Sequence, residues 1–383
     1  MSGLATLWLR PGVRAAVWQA LAAAAVLAAL LWVAGNIAGN VARRGLDIDF
    51  GFLAGRASFE FGENLIGYRP GDTFLTAFLA GLANTVLVAV LGIVLTTMVA
   101  TLLALARLSR NRLLSRLAWI WIEAVRNTPL LLQLLFWHQL TIRTLPAPRQ
   151  AWELLPGTFL SNRGLVFPAL YWQPAMGLAL AALAVAILAA VMLRRLALAR
   201  GDGPALRTGA PLLLALGAPA VLFAAAAEPL HGSVPALRGF NFQGGIAVSP
   251  EFVALLLALV VYQAGFMAET IRSGILGVPK GQVEAAASLG LSRLQQLRRV
   301  VFPQALWIIV PPVTSQYLSL TKNSSLAVAI GYPDLVRVSQ VTIADTGRAI
   351  ECITILLLVY LSLSLFTAFL MNLYNRYLMR RRG

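Results

Sequence analysis

The sequence predicts an all-α integral membrane protein of about eight transmembrane helices, and three observations carry that expectation. Of its 383 residues, 59% are hydrophobic and only 12% are charged, well outside the balance of soluble domains. The apolar runs reach the length of about 20 residues that a helix needs to cross a bilayer. The basic residues gather in the flanks of alternate runs. With the amino terminus inside, that distribution places the entire net charge of +16 on the cytoplasmic side. Basicity laid out in this way reports topology and contact with anionic membrane lipid, and it argues against a nucleic-acid partner.

Span one is the Ala/Leu-rich run 15–38, behind Arg10 and Arg14. A cleaved signal peptide has a similar charged start, but this apolar run exceeds an h-region of roughly 7–15 residues, so a retained helix is expected. A mixed-charge periplasmic loop, 39–72, follows. Span two covers 73–106 and span three 117–141, with the basic turn Arg107, Arg110, Arg112 and Arg116 between them. Residues 142–172 are expected to be an external loop lying on the membrane through Trp152, Tyr171 and Trp172. Spans four (175–198) and five (209–228) are nearly featureless. A Gly-rich loop, 229–249, then leads to span six (250–276), span seven (303–322) and span eight (351–374). Both termini are expected in the cytoplasm.

Between spans six and seven lies the least membrane-like stretch, Gly277–Pro303. It is polar and basic, with Lys280, Arg293, Arg298 and Arg299. Glu284, Ala285 and Ala286 favour helix, Gly290 interrupts it, and Leu291-Ser292 can start a second short helix, with Pro303 beyond. A short helix pair hung between two membrane spans is a lever for a soluble partner.

Inside the membrane, Gly81, Thr85, Val88, Gly92 and Thr96 share one face of span two. Small residues so spaced either let helices approach closely or line a path, and Asn84 suits either role. Glu123 and Arg126 stand one turn apart at the start of span three and can pair. Glu269, near the end of span six, is either an interfacial partner of Arg272 or a functional carboxylate. Span seven is the least ordinary helix. Pro311-Pro312 remove two backbone donors and should kink or open it. Thr314, Ser315 and Gln316 follow, then Asn323, and polar groups beside broken backbone at membrane depth point to a cavity lining.

No recognised catalytic signature is present. The two lysines exclude a phosphate-binding Gly-Lys-Ser/Thr loop, since Lys280 follows Pro279 and Lys322 follows Thr321. Gly-x-Ser-x-Gly and His-Glu-x-x-His are absent. The single cysteine, Cys352, and the isolated His138 and His231 offer neither an internal disulfide nor a metal cluster. An ATP-driven step would need a second polypeptide to hold ATP and magnesium. The rival is an ion-coupled secondary transporter centred on Glu269 and span seven, which leaves the loop 277–303 without a purpose.

The spaced set Glu284-Ala285-Ala286, Gly290, Val300, Phe302 and Pro303 resembles the signature loop of ATP-binding-cassette importer permeases, with Phe302 where Leu is usual. The set Glu123, Arg126, Thr128, Pro129 and Leu130 is similar to the matching helix of the polar-amino-acid (histidine/glutamine-type) branch. So is Pro311-Pro312 followed by Lys322, Asn323, Ser324 and Ser325, with Asn323 where Asp is common. The nearest likeness is to permeases for general L-amino acids or for glutamate, glutamine, aspartate and asparagine. The resemblance implies a five-helix core in 73–141 and 246–383, an extra segment 1–72 and an inserted helix pair within 142–245. It also implies a non-catalytic inner-membrane subunit binding no cofactor itself. Its partners would be an ATPase dimer, a second homologous permease chain, a periplasmic amino-acid-binding protein and the amino acid. Gly277, Lys280, Gly281, Glu284, Ala285, Ala286, Gly290, Arg293 and Pro303 would contact the ATPase. Asn84, Thr85, Thr314, Ser315, Gln316 and Asn323 are the candidates for the substrate pathway.

Overall fold

Helices carry the fold. A computed structural model of the protein describes residues 11–43, 48–170 and 232–380, together with 183, 185–187, 189–193 and 217. The expected spans four and five, apart from those few positions, lie outside the described residues, as do Tyr171 and Trp172. Before the insert come α1 (Pro11–Arg43), α2 (Phe74–Arg107), α3 (Arg112–Arg126) and α4 (Leu130–Thr144). After it come α5 (Pro250–Leu276), α6 (Lys280–Ser288), α7 (Arg293–Gln296), α8 (Phe302–Asn323), α9 (Leu335–Thr346) and α10 (Ala349–Arg380). Among the described residues four segments are long and apolar enough to cross a membrane: Arg14–Asn36, Phe74–Arg107, Pro250–Leu276 and Ala349–Tyr377. They fall where spans one, two, six and eight were expected.

Local chemistry fixes the helix starts. Thr73 caps α2 by accepting from the N–H of Thr76 at 3.2 Å, and Ser249 caps α5 by accepting from Phe252 at 3.1 Å. Pro250 opens α5 where a missing donor costs nothing. The most extensive helix pairing is α2 against α5. Small residues meet there, Ala100 and Ala104 of α2 with Ala264 and Ala268 of α5, and Val88 of α2 with Ala254 and Ala258 of α5, which lets the backbones close up without a polar cost. Near the start of α2, Gly81 meets α9: a Cβ there would lie 2.8 Å from the Val338 side chain and 3.0 Å from Leu335 Cα.

Span three is not one helix. α3 stops at Arg126, and Asn127, Thr128 and Pro129 separate it from α4. Pro129 has no N–H and disfavours helical backbone before it. Gln133 repairs the break, its Nε2 donating to the carbonyls of Val125 (2.9 Å) and Thr128 (3.0 Å). The opposite correction applies to span seven. α8 runs unbroken through Pro311 and Pro312, and both prolines are exposed, so the lost bonds fall on the outer side of the helix.

The region expected to be loops also contains strands, so the fold is mostly rather than wholly helical. In chain order they are β1 (Trp152–Leu155), β2 (Thr158–Ser161), β3 (Gly164–Phe167), β4 (Ala169–Leu170), β5 (Gly232–Ser233), β6 (Ala236–Arg238), β7 (Asn241–Gln243) and β8 (Ile246–Val248). An antiparallel sheet has the order β1-β2-β3-β8, while β4 pairs with β5 and β6 with β7. Ala169 faces Ser233 and Leu170 faces Gly232. Residues 169–170 and 232–233, well inside 142–245, therefore lie side by side. A further difference is α9, in a stretch expected to be an external loop. Its 12 residues are too few to span a bilayer, and they pack on α2 and α10.

Candidate functional site

The stretch between α5 and α8 forms a rigid bend. Gly277 ends α5, its N–H donating to Ser273 O at 2.8 Å. α6 then runs to Ser288 and closes with a left-handed residue, Gly290, at φ 72°. The N–H of Leu291 donates to Ala286 O at 3.2 Å and that of Gly290 to Ala287 O at 2.9 Å, the pair of bonds that ends a helix in a Schellman turn. Ser292 starts α7 with a reciprocal cap: its N–H donates to Gln295 Oε1 at 2.9 Å and its Oγ accepts from Gln295 N–H at 3.4 Å. A π-helical turn, Leu297–Val301, feeds into α8, with Pro303 at an early position that needs no donor.

The bend is anchored on one side and bare on the other. Ala286 is buried, and Val278, Val301 and Ala305 join a core cluster with Ala268 and Ile309. Gln304 Nε2 donates to Gln282 Oε1 at 3.3 Å, tying α6 to α8. Glu284 and Ala285 face outward, Gly281 has open space around it, and two leucines stand free at the tip, Leu289 at 80% and Leu294 at 74% exposure. Lys280, Glu284, Arg293, Arg298 and Arg299 are exposed and make no ion pair among the described residues. This face of the turn therefore presents exposed leucines among charges that have no ion-pair partner among the described residues.

The six membrane candidates do not meet at one point. Asn84 and Thr85 are buried and bonded to the chain itself. Asn84 Nδ2 donates to Pro333 O (2.9 Å) and Glu63 O (3.1 Å), while Thr85 Oγ1 donates to Gly81 O (2.9 Å) and accepts from Leu335 N–H (3.1 Å). Together they clip the loop before α9 onto α2. On α8, Thr314 Oγ1 donates to Val310 O at 3.0 Å, and Gln316 accepts from Gln263 Nε2. Ser315 is exposed and Asn323 half-buried. One open face of α8 carries Pro311, Ser315, Ser319 and Lys322, positions three to four apart and so on one side of the helix.

Glu269 is committed. It accepts from Arg272 Nε at 2.9 Å and also from Nη2, which leaves it a local salt bridge. Glu123 and Arg126 approach to 3.7 Å. A cavity of about 900 Å³ opens between α2, α5 and the β3–β8 edge, lined by Leu87, Leu91, Phe252, Leu256 and Val260 with few polar groups, Glu63 and Asn84 among them. Its aliphatic walls offer little to a charged solute.

Sequence reasoning missed three features. Gln263, buried opposite Gln316, is the amide in an otherwise apolar stretch of α5, and that contrast was a readable signal. Tyr317 OH lies 2.9 Å from Thr97 Oγ1, joining α8 to α2. Asp334 caps α9 by accepting from Arg337 N–H at 2.8 Å. Burial raises its carboxyl from 3.8 to about 7, against the pull of the α9 N–H groups. Burial likewise raises the carboxyl of Glu63, which the Ser249 N–H partly offsets.

A family model described as binding-protein-dependent transport system inner membrane component matches residues 210–382. Over 372 residues the chain is 44% identical to the general L-amino acid transport system permease protein AapQ of Rhizobium johnstonii, covering 95% of this chain and 92% of that protein. It is 46% identical over 377 residues to the putative amino-acid ABC transporter permease protein YhdX of Escherichia coli, covering 96% and 94%. It is also 36% identical over 386 residues to the glutamate/glutamine/aspartate/asparagine transport system permease protein BztB of Rhodobacter capsulatus, covering 91% and 90%.

Proposed function

The chain belongs to the amino-acid permeases of binding-protein-dependent ABC transport systems, and on that premise we propose that it forms one half of an import path for polar L-amino acids. The bend Gly277–Pro303 is the observation that carries the reading. Its bare face, with Leu289, Leu294, Glu284, Lys280 and Arg293, docks on a separate ATPase subunit that holds ATP and magnesium. The chain itself performs no chemistry. A second, homologous permease supplies the other half of the path, and a periplasmic binding protein delivers the amino acid.

In this reading the protein is an inner-membrane, multi-pass subunit with eight spans and both termini in the cytoplasm. Residues 73–141 and 246–383 form the core, 1–72 adds a helix, and 142–245 inserts a pair. The pairing of β4 with β5 brackets residues 171–231, the stretch within 142–245 in which the pair was expected. The open face of α8 at Ser315, Ser319 and Lys322 lines the path, with Gln316 and Asn323 at its edges. Asn84, Thr85 and Thr314 hold the wall in place. Closure of the ATPase pair moves the two bends together, and the path changes its opening because nucleotide and solute favour different states. The ion pair of Glu269 with Arg272 removes the carboxylate on which a proton-coupled rival would depend.

Reconstitution into liposomes with the ATPase, partner permease and binding protein tests the assignment. ATP-dependent uptake of acidic or neutral polar amino acids is expected, with none when the ATPase is omitted. Uptake by this chain alone under a proton gradient would overturn it.

A further inference from the structure

The turn joining α2 to α3 forms a pocket that the transport reading leaves unused. It is an open concavity of about 380 Å³ lined by Arg107, Ser109, Arg112, Ser115, Arg116 and Trp119. The lining therefore holds three guanidinium groups, two hydroxyls and an indole, with no carboxylate. Local bonds build it. Asn111 caps α3 by accepting from Leu113 and Leu114 N–H, and Ser109 Oγ accepts from Asn111 N–H at 3.2 Å. Ser115 Oγ donates to Arg107 O at 2.9 Å and accepts from Arg107 Nη1 at 3.3 Å, which fixes that guanidinium. Arg107 Nε is buried without a hydrogen-bond partner, and Arg112 and Arg116 make no ion pair among the described residues. Arginine forks gathered in a concave site match a tetrahedral, multiply charged anion such as phosphate.

Two further features identify the source of that phosphate as lipid. The pocket lies at the end of α2, whose 34 residues are long and apolar enough to cross the membrane, and so at or just beyond the headgroups. α3 also presents Leu113, Leu117 and Ile120 along one side, 68%, 55% and 50% exposed, beside the side that carries Arg112 and Arg116. The first turns of α3, where the third span enters the membrane, thus set an uncovered leucine side next to a cationic side, an arrangement that suits the headgroup–acyl boundary. Trp119 suits the same level.

We propose that the α2–α3 turn binds the phosphate of an anionic phospholipid headgroup, whose acyl chains lie along the leucine face of α3. The proposal rests on the membrane-permease reading only in requiring that α2 cross the bilayer, and its test needs neither ATPase nor amino acid. Purified chain is placed in nanodiscs mixing phosphatidylglycerol with phosphatidylcholine, and the lipids retained are weighed by native mass spectrometry. Arg112→Gln/Arg116→Gln is compared with Arg298→Gln/Arg299→Gln, which removes the same charge outside the pocket. At about five-fold per arginine, the pocket variant should lose roughly 25-fold of the preference for phosphatidylglycerol. The control, whose exposed arginines lie outside the pocket, should lose several-fold less than the pocket variant. Equal losses in the two variants would reveal diffuse attraction and overturn the site, as would no loss in either. Displacement of phosphatidylglycerol by inorganic phosphate would assign the pocket to the free anion and overturn the lipid. Should the double variant fail to fold, Arg116→Gln alone must lose about five-fold; retention at the wild-type level would overturn the proposal.

Discussion

Replacing Gly290 with alanine separates the geometry of the bend from its surface chemistry. The residue sits at φ 72°, and a Cβ there would meet nothing within 4 Å. Collision is therefore absent, and the cost is conformational alone. An L-residue in left-handed helical backbone costs roughly 1–2 kcal/mol, a factor of about 5 to 30 in the population of the bend against its alternatives. Gly281, equally open, is the control. It lies inside α6, where alanine is favoured over glycine by about 0.8–1.0 kcal/mol. Asparagine tolerates left-handed backbone better than alanine does. The affinity of purified permease for its ATPase subunit should therefore be lowest for Gly290→Ala, by up to about 30-fold. It should be intermediate for Gly290→Asn and at least wild-type for Gly281→Ala. Thermal unfolding followed in parallel should show the membrane body unchanged. Equal affinities for Gly290→Ala and Gly281→Ala would refute the reasoning, since only Gly290 has left-handed backbone.

The remaining predictions concern the bend's charge and the clip between α2 and α9. Glu284→Lys reverses an exposed charge that has no ion-pair partner among the described residues, so unfolding should be unaffected while ATPase co-purification falls. Asn84→Ala strips donors from the carbonyls of Glu63 and Pro333. At about 1–3 kcal/mol for an unsatisfied buried group, it should lower the unfolding temperature, whereas altered uptake selectivity at unchanged stability would return Asn84 to the path. Gly81→Ala drives a methyl into Val338 and the α9 backbone, and should speed proteolysis between α8 and α10. Asp334 holds its proton more tightly folded, at about 7, than at its ordinary 3.8. Its contribution is complete below about pH 4 and is lost as the pH rises through about 7. Thermal stability should therefore fall from pH 5 to pH 8, and Asp334→Asn should flatten that slope.

The bend was legible because short-range rules set it. Glu284 to Ala287 propagate helix, Gly290 alone accepts the left-handed turn without strain, and Ser292 with Gln295 makes a cap readable as Ser-x-x-Gln. The break at Asn127-Thr128-Pro129 was written in Pro129, but the apolar run on either side outweighed it. Whether a proline opens a helix depends on where its lost bond falls. The exposed faces of Pro311 and Pro312 appear only once α8 is packed. α9 carried its own end signals, Asp334 before it and Gly347 at φ 73° after it, yet its polar composition read as loop. The strands at 152–170 and 232–248 are two to four residues each, too short for alternation to register. Long-range partners explain the rest: Asn84 is tied to Pro333 across 249 positions of sequence.

The central claim is that the bend Gly277–Pro303 faces the cytoplasm and is gripped there by a separate ATPase. Leu289→Cys reports on it directly, because the native Cys352 is fully buried and leaves the background silent. The measurement is labelling with a membrane-impermeant maleimide in right-side-out and inverted vesicles, with and without the ATPase subunit. The account predicts labelling only in inverted vesicles and its loss when the ATPase is bound. Labelling from the periplasmic side, or labelling that the ATPase leaves unchanged, would contradict it.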